Sequence, residues 1–287
     1  MHETGLILEG GGMRCAFTAG VLNYWMSRSL YFDDVYGVSA GACQACSYLC
    51  RQPGRGMRVW LDHLDDPRFC SVRSLILTGD LFGADFNYDL LPRQLDPLDN
   101  QAYLEHGAHL TAVVTNVRTG KAEYLPIRDM LDDVQIVRAS ASLPLISRSV
   151  RIGASRYLDG GIADSIPIER SIRDGHSRNV LVLTRPAGYR KTRNAALPLM
   201  RLRYAARPRL LAAVADRHNM YNATLEYIDR EVSEGRAFVI RPDTMPDIGR
   251  IERDPEKLRK LHDEGWNAAA RCFDALLAFL DRPQRTA

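Results

Sequence analysis

The sequence predicts a three-layer α/β/α fold built on a mainly parallel central sheet. Short apolar runs, among them Leu6-Ile7-Leu8-Glu9, Asn179-Val180-Leu181-Val182-Leu183-Thr184 and Ala237-Phe238-Val239-Ile240-Arg241-Pro242, alternate with longer helical patterns. Strands apolar on both faces need helices over both faces, which is the parallel-sheet arrangement. A glycine loop, Gly10-Gly11-Gly12, sits where the first strand gives way to a helix. A serine, in Gly37-Val38-Ser39-Ala40-Gly41, sits at the next such junction.

The first strand runs into Gly10-Gly11-Gly12-Met13-Arg14, and Ala16 to Trp25 then carries a helical period through Phe17, Val21 and Tyr24. Such a loop offers bare amides at the positive end of a helix, suited to a phosphate or an oxyanion. A dinucleotide fingerprint would want a glycine or alanine where Cys15 stands, and an acidic residue at the end of the second strand. No Lys-Ser or Lys-Thr pair follows, so a P-loop is excluded. The oxyanion reading is preferred.

Between Val35-Tyr36 and the small-residue helix from Ala42, Ser39 must turn the chain sharply. Gly37 and Gly41 remove the clashes that would forbid it. The result is a nucleophile elbow at the sheet rim. Cys43, Cys46 and Cys50 share a face of the elbow helix. No ligand-spaced His or Cys accompanies them, so they are read as inward packing and no metal is expected.

Residues 50–100 lose clear periodicity and are broken by Pro53-Gly54, Asp66-Pro67, Thr78-Gly79-Asp80 and Asp96-Pro97. They are read as a cap over a site. Phe69, Leu81, Phe82, Phe86 and Tyr88 there are expected mostly to pack, with lining of an acyl pocket as the alternative. Strands at His109–Asn116 and Ala122–Pro126 flank a turn at Arg118–Lys121. A helix follows over Asp132–Ser142, then two short strands around Val150–Ile152 and Arg156–Leu158. These lead to Asp159-Gly160-Gly161, an aspartate at a strand end with a freely turning chain behind it. Helices are expected over Leu197–Glu234 and Pro255–Leu280, and a loose tail over Arg282–Ala287.

The whole is read as one domain over residues 1–287, with a core over about 5–185 and a helical C-terminal part, plus one strand, over about 186–287. Composition is ordinary for a globular protein, with 46% hydrophobic and 25% charged residues. The net charge of +3 is too small to imply nucleic acid. The N-terminus shows no leader pattern and no run approaches the ~18 apolar residues of a membrane span. A cytoplasmic location with reduced cysteines is therefore expected.

Taken in order, the glycine loop, the serine elbow and Asp159-Gly160-Gly161 resemble the patatin-like phospholipase family. The likeness extends to Tyr157–Pro167 and Ala139–Pro144, and covers roughly Leu6 to Pro167. The resemblance implies a lipid acyl hydrolase using a serine and an aspartate without a histidine, and needing no cofactor. Ser39 would be the nucleophile and Asp159 its base. The loop of Gly10, Gly11 and Gly12 with Arg14 would form the oxyanion hole, and Gly37, Gly41, Gly160 and Gly161 would shape the two turns. The family loop usually has a glycine where this chain has Cys15. For the dyad to work, Asp159 must meet Ser39 directly in a partly desolvated pocket, because an ordinary aspartate is a weak base.

Two alternatives stand beside it. A Ser-His-Asp esterase would recruit His176 or His218, with His63, His106, His109 and His262 left as surface or core residues. A nucleotide-binding or regulatory scaffold would keep the fold without turnover. The expected partner is a lipid or acyl-ester substrate. Residues 185–217 hold nine Lys or Arg against one acid, Asp216, interleaved with leucines. A solvated helix pair is the preferred reading of that segment, with contact to anionic lipid as the alternative.

Overall fold

The computed structural model describes residues 4–281. Its eight strands are β1 (Thr4–Leu8), β2 (Asp34–Val38), β3 (His109–Asn116), β4 (Ala122–Ile127), β5 (Val150–Ile152), β6 (Ser155–Asp159), β7 (Arg178–Val182) and β8 (Ala237–Ile240). They form one sheet in the order β5-β6-β3-β2-β1-β7-β8, with β4 also paired to β3. The five strands β3, β2, β1, β7 and β8 are mutually parallel. β4, β5 and β6 add antiparallel pairings, so the sheet is mixed. A three-residue β5 and a hairpin-linked β4 need no crossover helix, and short connections of that kind close only antiparallel pairs.

Register around β3 decides the position of the site. β4 occupies one edge of β3 from Leu110 to Thr115. On the other edge β2 pairs as far as Val38 opposite Val113, and β6 begins its pairing with Asp159 opposite Val114. β2 and β6 therefore meet end to end along one edge. The residue after Val38 and the last residue of β6 become neighbours.

The helices are α1 (Ala16–Ser27), α2 (Ala40–Leu49), α3 (Arg55–Leu61), α4 (Val72–Thr78), α5 (Asn100–His106), α6 (Val134–Ser140), α7 (Ile168–Arg173), α8 (Leu197–Arg203), α9 (Pro208–Ser233), α10 (Pro255–Arg271) and α11 (Phe273–Leu280). The alternation along β1 places Leu6 and Leu8 in a core with α1, α2 and α10. Ile7 points into a separate core with α7 and α9. Helices thus cover both faces. α1 and α10 cross closely: a Cβ on Gly265 would lie 2.0 Å from the Phe17 carbonyl, and one on Gly20 would lie 1.9 Å from that of His262.

The region read as one helix over Pro255–Leu280 is two. It starts at Asp254, which caps the amides of Glu256 and Lys257, and it breaks at Cys272. Residues 50–99, expected to be cap-like, are poor in strands and hold α3, α4, a wide π-helical stretch over Phe86–Leu95 containing Pro92, and one isolated bridge between Cys70 and Phe82. Within this segment Arg55 Nη2 donates to the Asp96 carbonyl at 2.6 Å, and Arg55 Nη1 pins it to α2 by donating to Ser47 Oγ at 3.3 Å. Buried Asp80 adds a second pin, accepting from Arg148 N at 2.8 Å and Arg138 Nη2 at 3.2 Å. Among the described residues no helix is long and apolar enough to cross a membrane.

Candidate active site

Ser39 stands between β2 and α2 with φ of 55° and ψ of −128°, a conformation an L side chain rarely adopts. Such strain survives only where the surroundings impose it. Here they do: a Cβ on Gly41 would lie 2.5 Å from the Leu8 carbonyl, and one on Gly37 would lie 2.5 Å from Ala42 Cα. The Ser39 amide donates to Ser140 Oγ at 2.9 Å, and Ser140 Oγ donates onward to the Val113 carbonyl at 2.7 Å. Ser140, on α6, thereby ties the elbow to β3. The side chain of Ser39 sits at the N-terminus of α2, on the positive end of that helix.

Asp159 closes β6 and is 2% exposed. Its Oδ1 accepts from the Gly161 amide at 2.8 Å, which fixes the carboxyl plane. Its Oδ2 is buried and has no hydrogen-bond partner. Burial raises its pKa above the ordinary 3.8, while the Ser39 side chain and then the Arg217 charge act in the opposite sense. The Ser39 side chain is thus near enough to act on the carboxyl, although no hydrogen bond joins it to Oδ2.

The glycine loop packs directly on the elbow: a Cβ on Gly10 would lie 2.8 Å from Ser39 Cβ. Gly12 has φ of +59° and lies against the backbone of Arg250. The Met13 amide is taken by the Arg250 carbonyl at 3.0 Å. Among the described residues, the amides of Gly10, Gly11 and Gly12 donate to no protein acceptor. Cys15 fits the loop as a fully buried thiol, its Sγ 3.5 Å from the Glu9 carbonyl, and burial pushes its pKa up to about 12. A small side chain is accommodated where the family usually has glycine.

Two cavities share Ser39 and Gly12. One, of about 150 Å³, is apolar and is walled by the cap and α2, with Cys43, Trp60, Phe69, Phe82, Tyr88 and Leu91 among its lining. Of the five cap residues singled out in the sequence, Phe69, Phe82 and Tyr88 line this space, whereas Leu81 and Phe86 are packed core. Cys43 and Cys46 also face it, so the cysteine face of α2 points inward as expected. The other cavity is polar, about 20 Å³, and is bounded by the glycine loop, Asp159 and several cations.

Among the described residues no histidine lines either cavity that holds Ser39. His176 lies at the opposite end of the sheet, its Nε2 3.3 Å from Asp34 and its Nδ1 3.0 Å from the Ser171 carbonyl. His218 is turned back on its own helix, 3.0 Å from the Ala215 carbonyl, in a separate surface pocket. Neither borders a cavity that reaches Ser39. No cluster of three potential metal ligands occurs among the described residues.

The basic segment 185–217 holds what the sequence did not reveal. Arg185, Lys191 and Arg217 turn toward the polar cavity, joined by Arg250. Arg217 Nε donates to the Gly161 carbonyl, behind the Asp159 turn. Arg217 and the Ser140 hydroxyl are the site residues that sequence reasoning missed. The Ala139–Pro144 segment was a signal for Ser140, and none marked Arg217 apart from its basic neighbours.

A family model described as patatin-like phospholipase matches residues 6–172, and a second, described as a domain of unknown function, DUF6363, matches residues 207–281. An uncharacterized protein of Escherichia coli strain K12, YjjU, is 32% identical over 187 residues, which are 63% of this chain. The chain spans about half of that relative's length, 52%. Among solved structures, VipD from Legionella pneumophila aligns with a TM-score of 0.48 and 13% identity, over 96% of this chain and 67% of that one. With its glycine loop, serine elbow and Asp-Gly-Gly turn gathered at one sheet rim, the chain belongs to the patatin-like phospholipase family.

Proposed function

We propose that this protein is a serine hydrolase that cleaves fatty acyl esters of lipids through a Ser39–Asp159 dyad and a covalent acyl-enzyme. One observation carries the reading: a strained serine faces a buried carboxylate whose free oxygen has no other partner, at the mouth of an apolar cavity. Family membership supports the lipid acyl substrate.

The acyl chain lies in the apolar cavity, with its ester carbonyl over the glycine loop. Asp159 Oδ2 takes the Ser39 proton as Oγ bonds to the carbonyl carbon, and the C=O electron pair moves onto oxygen. The amides of Gly10, Gly11 and Gly12 receive that oxyanion, and one such donor is typically worth ~3 kcal/mol. Collapse breaks the bond to the alcohol, which leaves with the proton held by Asp159. A water then repeats the sequence on the acyl-enzyme, giving its proton to Asp159 and releasing fatty acid and free Ser39. Burial of Asp159 strengthens it as a base for this work. A fluorophosphonate probe should label wild-type protein and leave Ser39→Ala unlabelled. Lipid cleavage should fall by about 10³-fold or more in both Ser39→Ala and Asp159→Asn. Labelling that survives Ser39→Ala overturns the assignment.

A further inference from the structure

The polar cavity beside Ser39 is built for an anion. Five cationic side chains line it, Arg14, Arg185, Lys191, Arg217 and Arg250, against two carboxylates, Glu9 and Asp159. Glu9 is already engaged: Oε2 accepts from the Thr184 amide at 2.6 Å and its hydroxyl at 3.0 Å, and Oε1 accepts from the Tyr221 hydroxyl at 2.7 Å. Asp159 is held by Gly161 and belongs to the dyad. None of the five cations forms an ion pair with a carboxylate among the described residues.

Arg14 is buried and Lys191 is held in place. Arg14 is 7% exposed and its Nε has no hydrogen-bond partner. Lys191 is clamped through its backbone by Asn222, whose Oδ1 accepts from the Lys191 amide at 2.8 Å and whose Nδ2 donates to its carbonyl at 3.1 Å. Its Nζ lies 4.0 Å from the centre of the Tyr221 ring. Gathering like charges with unused donors in a semi-enclosed space is unfavourable until an anion enters. Burial, and then the Arg217 charge, lower the Lys191 pKa to about 7.

We infer that this cavity receives the phosphate of an anionic lipid headgroup, so that the enzyme prefers phospholipids whose phosphate is not offset by a headgroup ammonium. The inference rests on the Ser39–Asp159 reading and names the substrate class of that site. The two cavities share the walls made by Ser39, Gly12, Leu143 and Arg250, and in a glycerophospholipid the phosphate likewise lies only a few bonds from the acyl ester. Guanidinium forks suit two phosphate oxygens at once. A trimethylammonium would enter the same positive field and be repelled.

The test uses the full chain and dihexanoyl phosphatidylglycerol, dihexanoyl phosphatidylcholine and a dihexanoylglycerol as dispersed monomers, which removes attraction of a basic protein to a charged surface. Wild type should show a phosphatidylglycerol to phosphatidylcholine ratio of kcat/KM of at least about tenfold. Arg185→Gln, Lys191→Gln and the double variant should bring that ratio toward one. Because the readout is a ratio within each variant, a general loss of activity does not mimic it. A wild-type ratio near one, or a ratio unmoved by the double variant, overturns the inference. Inorganic phosphate separates the sources: if it inhibits cleavage of the neutral glyceride while the headgroup ratio stays near one, the cavity serves a free anion and the headgroup assignment is wrong. Absence of turnover on all three lipids, with Ser39 unlabelled by a fluorophosphonate, would instead overturn the hydrolase reading itself.

Discussion

The Arg250 carbonyl accepts the Met13 amide at 3.0 Å, so the glycine loop at the front of the chain is held by a residue near its end. Arg217 does the same for the second loop, donating to the Gly161 carbonyl. Both contacts come from the stretch matched by the second family model, residues 207–281. That stretch also contributes β8 to the sheet and α10 to the main core. It therefore holds the glycine loop and the turn after Asp159 as well as filling out the fold.

Gly12→Ala should be more damaging than an ordinary Gly-to-Ala change. The residue has φ of +59°, and its new Cβ would lie 2.3 Å from the Arg250 carbonyl. The strain costs about 1–3 kcal/mol, and relief by moving the loop displaces the oxyanion amides. Urea denaturation should report the lost stability, and esterase turnover should drop by about a hundredfold or more.

Ser39→Gly should be more stable than Ser39→Ala by about 1 kcal/mol, although neither turns over. Alanine keeps the strained backbone at φ of 55°, whereas glycine adopts it freely. Paired thermal melts decide the matter, and equal melting temperatures would show that the elbow holds no strain.

Asp159 gives a pH signature. Because burial raises its pKa above 3.8, the base is lost at a higher pH than an exposed aspartate would be, and kcat/KM should fall on an acid limb above that value. The sign for stability is the reverse. The folded state holds this proton more tightly than the unfolded chain, so ionised Asp159 weakens the fold as pH rises through its pKa. Asp159→Asn should therefore abolish turnover while raising the melting temperature at neutral pH by ~2 °C.

His176→Ala should leave acyl transfer intact and reduce stability. The Asp34 carboxylate raises the imidazole pKa above 6.5, so its contribution is fully present below that value and is lost as pH rises through the raised pKa. The difference in melting temperature between wild type and variant should accordingly be larger at about pH 6 than at about pH 9. Loss of esterase activity in this variant would return a histidine triad to contention.

Lys191 should make the headgroup preference sensitive to pH near neutrality. With a pKa of about 7, lowered first by burial and then by the Arg217 charge, it is charged below that value and neutral above it. The ratio of rates on anionic and zwitterionic lipid should fall as pH rises through this range. A bound phosphate would raise the pKa and move the midpoint upward.

Much of the candidate site was legible in the chain because each of its turns is local. A strand, three glycines and a helix are consecutive, as are a strand, Ser39 and α2, and each carries its own steric logic. The meeting of Ser39 with Asp159 was not local, since it depends on β2 and β6 sharing one edge of β3. The cation-lined cavity was less legible still. Arg185, Lys191, Arg217 and Arg250 lie on separate segments, and a basic run reads alike whether its side chains point to solvent or inward. The antiparallel flank was legible in part, because the turns at Arg118–Lys121 and Gly153-Ala154 are short enough to join only antiparallel strands, whereas the pairing of β6 with β3 left no local trace. The break at Cys272 was hidden because the apolar period continues across it.

The end-to-end abutment of β2 and β6 implies very unequal tolerance to lengthening. One extra residue in either strand before the rim would slide Ser39 past Asp159 and flip every side chain beyond the insertion. At the other end of β6 the turn at Gly153 has open space around it, with nothing within 4 Å of where its Cβ would stand. A peptide tag spliced there should leave acyl transfer untouched, making that hairpin tip a practical handle for immobilising the protein.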